Sequence, residues 1–192
     1  MNLCVYGASS NTIDDIYVKT VEELGEELAN RGHRLIFGAG GSGCMGASAR
    51  GAARGHGEII GIVPEFFEVD GFLYEHCTEL IKTDTMRERK RMLEEYADAF
   101  IVVPGGIGTF DEFFEILTLK QLERHSKAIA VLNVNGYYDD MERLLNKVVD
   151  ENFAKRDTLK LVEFFTDIDE LLDYVENYHP EDISISDMKH IR

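Results

Sequence analysis

Ala99-Phe100-Ile101-Val102-Val103-Pro104-Gly105-Gly106-Ile107-Gly108-Thr109-Phe110-Asp111-Glu112 is the stretch on which the fold turns. Its first five residues are apolar, three of them β-branched, in the manner of a buried strand, and Pro104 ends that strand because it has no N–H to donate. Three glycines then fall within four residues. Beyond them, Phe113, Ile116, Leu117 and Leu119 recur at the spacing of a helix with one packed face, over Thr109 to Gln121. Strand, glycine turn and helix follow in that order. Such a turn removes side chains so that the unpaired amides and the dipole of the helix start can meet an anion, above all a phosphate. Glu112 lies in the first helical turn, where a glutamate also complements the dipole by about 0.3–1 kcal/mol. Its helical alignment with Ile116 and Leu119 puts the carboxylate on the packed stripe beside the turn. We therefore favour a functional carboxylate, since charged groups on packed faces need a partner.

Working towards the N-terminus, Thr85 to Ala97 reads as a helix whose stripe is Met86, Lys90, Leu93 and Ala97, with Arg89 flanking it. Arg89 reads equally as a surface ion pair with Glu88, Glu94 or Glu95. Asn2 to Tyr6 is a first strand, and Gly7 to Asn11 a loop leading to a helix from about Ile13 to Asn30. Ser9 and Ser10 serve there as helix caps or as ligand contacts. Arg34 to Phe37 is a second strand, followed by a glycine run from Gly38 to Gly46 and a small-residue helix through Arg54. Ile59 to Val63 is another buried strand; Glu79 to Ile81 is a short one, and Phe66 to Cys77 between them has no assigned role.

Towards the C-terminus come a strand at Ala128 to Leu132, a helix to about Asn152, a strand at Leu161 to Phe165, and a helix capped by Asp167. The alternation predicts an α/β fold: a single Rossmann-like domain over residues 1–178, a doubly wound parallel sheet with helices on both faces. Residues 179–192 are expected to form a loosely attached tail.

Gly38, Gly40 and Gly43 match a dinucleotide fingerprint, with Glu65 near the distance of a ribose-binding acid. The fingerprint follows the second strand instead of the first, and Glu65 lies beyond the strand end at Pro64, which argues against NAD. Two glycine loops at the carboxyl ends of neighbouring strands would instead enclose one mononucleotide.

At 192 residues the chain has enough core to fold unaided. A net charge of −16 disfavours nucleic acid and anionic membranes as partners. Against that balance, Lys82, Arg87, Arg89, Lys90 and Arg91 gather five of 20 basic residues into ten positions, as if to focus on an anionic ligand. No apolar segment is long enough to span a bilayer, and no signal peptide is recognisable before the first strand, so a cytoplasmic location is expected. Cys4, Cys44 and Cys77 form no Cys-x-x-Cys pair and are expected to be buried thiols. The six histidines show no metal-ligand spacing, and no metal or cofactor is expected.

Pro-Gly-Gly-x-Gly-Thr-x-x-Glu, complete from Pro104 to Glu112, resembles the signature of the LOG family, cytokinin riboside 5′-monophosphate phosphoribohydrolases long labelled lysine decarboxylases. Val5 to Ser10, Phe37 to Gly46 and Leu132 to Asp139 are similar to further segments of that family, and the likeness spans roughly residues 1 to 178. The family's Met-His-x-Arg-Lys motif falls on Met86 to Lys90, with Arg87 in place of His; Cys44 replaces a Leu. The resemblance implies hydrolysis of the N-glycosidic bond of a nucleoside 5′-monophosphate to free base and ribose 5-phosphate, with Arg89 and Glu112 as the catalytic residues. The substrate-binding set it suggests, taken with the glycine loops, is Ser9, Gly43, Met45, Arg89, Lys90, Gly105, Gly106, Gly108, Thr109 and Glu115. Arg89 would contact phosphate or ribose, or orient Glu112; Glu115 is a second carboxylate or a supporting one. A homodimer, built on the helices after the glycine loops, is a further implication. The rival readings are a non-catalytic nucleotide or cofactor carrier using the same loops and, behind it, an NAD-dependent enzyme. A lysine decarboxylase is disfavoured, because no lysine sits in a context suggesting a Schiff base.

Overall fold

The computed structural model describes residues 1–67 and 71–189. Seven strands form one parallel sheet: β1 (Asn2–Tyr6), β2 (Arg34–Phe37), β3 (Ile59–Pro64), β4 (Glu79–Thr83), β5 (Ala99–Val102), β6 (Ala128–Leu132) and β7 (Glu163–Phe165), in the order β4-β3-β2-β1-β5-β6-β7. The expected α/β architecture is what the chain adopts. β1 is central, with Leu3 in register with Leu35 on one side and Ala99 on the other. Its side chains alternate between two cores. Leu3 and Val5 pack with α1 (Asp15–Asn30), α2 (Gly43–Arg54) and α6 (Ile168–Glu176), while Cys4 and Tyr6 pack with α3 (Met86–Tyr96), α4 (Ile107–Gln121) and α5 (Asp139–Asp150). Burial on both faces is why β1, β5 and β6 read as continuous apolar runs.

The chain goes outward from β1 in one direction through β4 and returns to β5 on the other flank, so the order reverses between β1 and β5. The crevice outside the carboxyl ends at that reversal is where open α/β sheets bind ligands. The two glycine loops were expected on neighbouring strands. They follow β2 and β5, with β1 between them.

Local chemistry accounts for most boundaries. Asp14, not Ser9 or Ser10, caps α1 by accepting from the Ile16 amide, so both serines are released from that duty. Thr85 caps α3 through the Glu88 amide, and Asp167 caps α6 as expected. On α4, Leu119 is only half-buried and Lys120 takes the packed position. On α3, Met86 lies at the exposed margin while Arg89 is buried. Cys4 and Cys44 are buried thiols, whereas Cys77 is half-buried.

The segment after β3 is pinned across the Gly38 loop: the Gly41 amide donates to Phe72 (2.8 Å) and the Tyr74 amide to Ala39 (2.8 Å). The expectation of a loose tail is corrected over 179–189. There α7 (Ile185–Met188) docks Met188, 1% exposed, into the α3–α5 core, and the Met188 carbonyl accepts from the Lys155 amide (2.9 Å) and the Thr158 hydroxyl (3.0 Å). The periodicity faded because two anchoring side chains, Ile183 and Met188, leave no repeat to read. Residues 190–192 lie outside the described residues. Among those described, no helix is long and apolar enough to cross a membrane, and no cluster of His, Cys, Asp or Glu is arranged to hold a metal ion.

Candidate active site

Three loops meet at the carboxyl ends of β1, β2 and β5 and are stitched by backbone bonds. The Ala8 amide donates to the Pro104 carbonyl (3.0 Å), and the Met45 amide donates to the Ala8 carbonyl (2.9 Å). Gly43 adopts φ +58, and an added Cβ would lie 2.6 Å from the carbonyl oxygens of both Ala8 and Ser10. Its amide donates to the Asn11 side chain (3.1 Å). Gly43 is therefore a joint between loops.

The turn from Pro104 to Thr109 is held from below. Tyr137 donates its hydroxyl to the Gly105 carbonyl (2.6 Å) and Tyr138 to that of Val103 (2.7 Å). Asn133 fixes both tyrosines' segment by accepting from the Tyr138 amide (2.7 Å) and donating to Asp139 (2.7 Å). Gly105 gives room to the buried Thr109, whose Oγ1 would lie 2.1 Å from an added Cβ. Gly106 and Gly108 differ. A Cβ at either would meet nothing within 4 Å, so packing does not demand glycine there, and both stand at the start of α4, where helix amides lack intrahelical partners.

Beside that turn lie Arg89 from α3 and Glu112 from α4, 7% and 8% exposed, with Nη1 donating to Oε1 at 2.8 Å. Arg89 also donates Nε to the Ile62 carbonyl in β3 (3.2 Å). An added Cβ on Gly38 would fall 2.0 Å from Arg89 Nη2, so that glycine admits the guanidinium. Burial raises the Glu112 carboxyl above its ordinary value, and the charge and hydrogen bond of Arg89 work against that rise. The surface ion pair with Glu88, Glu94 or Glu95 is not what Arg89 makes.

The pair lines a cavity of about 340 Å³. Of the residues anticipated, Ser9, Met45, Arg89, Lys90, Gly106, Gly108, Thr109 and Glu112 line it. Gly43, Gly105 and Glu115 do not. Gly43 and Gly105 shape the loops, and Glu115 ion-pairs with Lys90 (2.7 Å), which also holds Asp111 (3.0 Å). The basic cluster divides, with Arg89 and Lys90 facing the cavity while Arg91 pairs with Glu95 on the surface. The rest of the lining is largely apolar, with Val63, Pro64, Phe67, Phe72 and Met86, and the Phe67 and Phe72 rings are stacked at 5.2 Å. Sequence reasoning missed this lining because Phe66 to Cys77 lacks periodicity. Gly38 was noticed only as part of a dinucleotide fingerprint. Gly38→Ala is expected to displace the guanidinium and lower turnover by about tenfold or more with the fold retained, which steady-state kinetics beside circular dichroism will read.

A family model described as "Possible lysine decarboxylase" matches residues 45–175. Cytokinin riboside 5′-monophosphate phosphoribohydrolase LOG2 of Arabidopsis thaliana is 33% identical over 179 residues, covering 93% of this chain and 84% of that protein. The chain belongs to the LOG family. A second LOG relative, from Oryza sativa subsp. japonica, is 34% identical over 179 residues, covering 93% of this chain and 74% of that one. These LOG relatives support phosphoribohydrolase activity for the chain at moderate identity. Among solved structures, the Moco carrier protein of Chlamydomonas reinhardtii matches with a TM-score of 0.70, at 20% identity and over 91% of this chain and 94% of that one. At that identity the likeness to this LOG-family chain is one of fold.

Proposed function

We propose that the chain hydrolyses the N-glycosidic bond of a nucleoside 5′-monophosphate, either a cytokinin riboside 5′-monophosphate or AMP, to free base and ribose 5-phosphate. The observation that carries this reading is the buried Arg89–Glu112 pair at one cavity wall beside bare helix-start amides. In it, the amides of Gly106, Gly108 and Thr109 hold the 5′-phosphate, and binding energy spent there presents C1′ to Glu112. As the bond to the base breaks, positive charge builds on the ribose ring. The Glu112 carboxylate stabilises it or activates the water that traps it. Of the roles open to Arg89, orienting Glu112 has the support of the 2.8 Å contact. Ser9, Met45 and Lys90 complete the lining, and the Phe67–Phe72 wall offers a planar base an apolar surface. A homodimer belongs to this reading; the 87% exposure of Ile107 at the start of α4 supports it.

The test is to incubate the purified protein with AMP and with an N6-substituted adenosine monophosphate and to measure free base. Release from monophosphates with little from the corresponding nucleosides is expected. Tight binding with no base released would replace this reading with that of a carrier.

A pH dependence follows from Glu112. Its carboxyl is raised above the ordinary value of 4.5, and the reaction needs it ionised. Activity is therefore lost as pH falls through the raised value, and the acidic limb of the kcat profile should lie above 4.5. An acidic limb at or below the ordinary carboxyl value would separate Glu112 from the chemistry.

A further inference from the structure

At the other end of α4 is a second cavity, of about 360 Å³, between the last turn of that helix, the approach to β6 and the segment after α6. Its deepest charge is Lys120, only 6% exposed. The ammonium donates to the Leu161 carbonyl (2.8 Å) and stands 4.7 Å from the centre of the Tyr178 ring. Among the described residues, no carboxylate lies within ion-pair distance of Lys120. The same is true of Arg124, exposed at the rim.

The other titratable groups facing this space are all engaged. Lys160 is held between Asp157 (3.0 Å) and Glu181 (3.1 Å), and the Glu123 carboxylate accepts from the Ile185 amide at the start of α7. His125 donates Nε2 to the Ile116 carbonyl (2.8 Å) and accepts the Lys127 amide at Nδ1 (3.2 Å). Burial keeps its imidazole neutral, with the pKa lowered to about 4. Two cations without carboxylates, one of them buried, thus face a solvent-connected space on a chain whose net charge is −16. Burial lowers the Lys120 ammonium to about 8, the cost of a cation lacking a counter-charge.

We propose that this cavity binds a phosphate-class oxyanion, with Lys120 and Arg124 as its cations. A dianion matches the two unpaired charges, and the space exceeds one phosphate, leaving room beside Tyr178 for the body of a small phosphate monoester. The occupant ties the last turn of α4 to residues 178–183. Lys120 lies eight residues, about 12 Å along the helix, from Glu112, so the site is separate from the candidate active site and independent of its reading.

The test uses the ¹⁵N-labelled full chain titrated with sodium phosphate at constant ionic strength. Saturable shifts are expected in the amides of 120–126, apart from any at 106–109. Lys120→Met should weaken phosphate binding there by about tenfold or more. Arg124→Ala, a surface change that leaves the core intact, should weaken it by about threefold. Absence of saturable shifts near Lys120 overturns the proposal, as do equal shifts with chloride or unchanged affinity in a folded Lys120→Met. If that variant does not fold, unchanged affinity in Arg124→Ala overturns it instead. A parallel titration with ribose 5-phosphate distinguishes the sources: tighter binding assigns a monoester, equal binding inorganic phosphate.

Discussion

Glu112→Gln is expected to lower kcat for base release by about a thousandfold while the chain remains folded and continues to bind nucleotide. The amide is nearly isosteric and still accepts a hydrogen bond from Arg89, so packing and the 2.8 Å contact persist. What is lost is the negative charge that the proposed mechanism sets against the ribose as the bond to the base breaks. KM should change little, since the amides of Gly106, Gly108 and Thr109, proposed to hold the 5′-phosphate, are untouched. Retention of more than about a tenth of wild-type kcat would assign Glu112 to dipole complementation and shift the chemistry to another group.

The second large effect concerns stability as well as activity. Arg89→Met should abolish turnover and cost about 3–5 kcal/mol, because it leaves the Glu112 carboxylate buried without its cation. The sign with pH is definite. Removing Arg89 raises the folded-state carboxyl further above its unfolded value, since the charge and hydrogen bond that oppose the rise are gone. The folded state then holds the proton more tightly than the unfolded one. The contribution of Glu112 to the variant's stability is fully present below pH 4.5 and is lost as pH rises through the elevated folded value. Arg89→Met combined with Glu112→Leu should recover most of the lost stability and none of the activity. Urea denaturation at several pH values measures both variants. A single variant as stable as wild type at neutral pH would show that the pair is not electrostatically coupled.

The architecture was legible because each buried strand announces itself as an apolar run and each helix as a stripe, both local properties. The turn from Pro104 to Thr109 was legible for the same reason: proline ends a strand and glycines expose amides wherever they occur. Sequence could nominate Arg89 and Glu112 and hold their contact as one of several alternatives, but not decide it, since they lie on separate helices. Nor could it tell Gly43 and Gly105, which make room for protein atoms, from Gly106 and Gly108, which face open space.

By itself the sequence determined a doubly wound parallel sheet, a glycine turn at a helix start and LOG-family membership, because period, breakers and motif are written in contiguous residues. Only the tertiary structure decided that Arg89 pairs with Glu112 instead of a surface glutamate, that Phe67 and Phe72 wall the cavity, and that Lys120 is buried without a carboxylate. Those facts depend on burial and on partners distant in the chain, and a charge acquires its cost and its use only when the fold removes it from water.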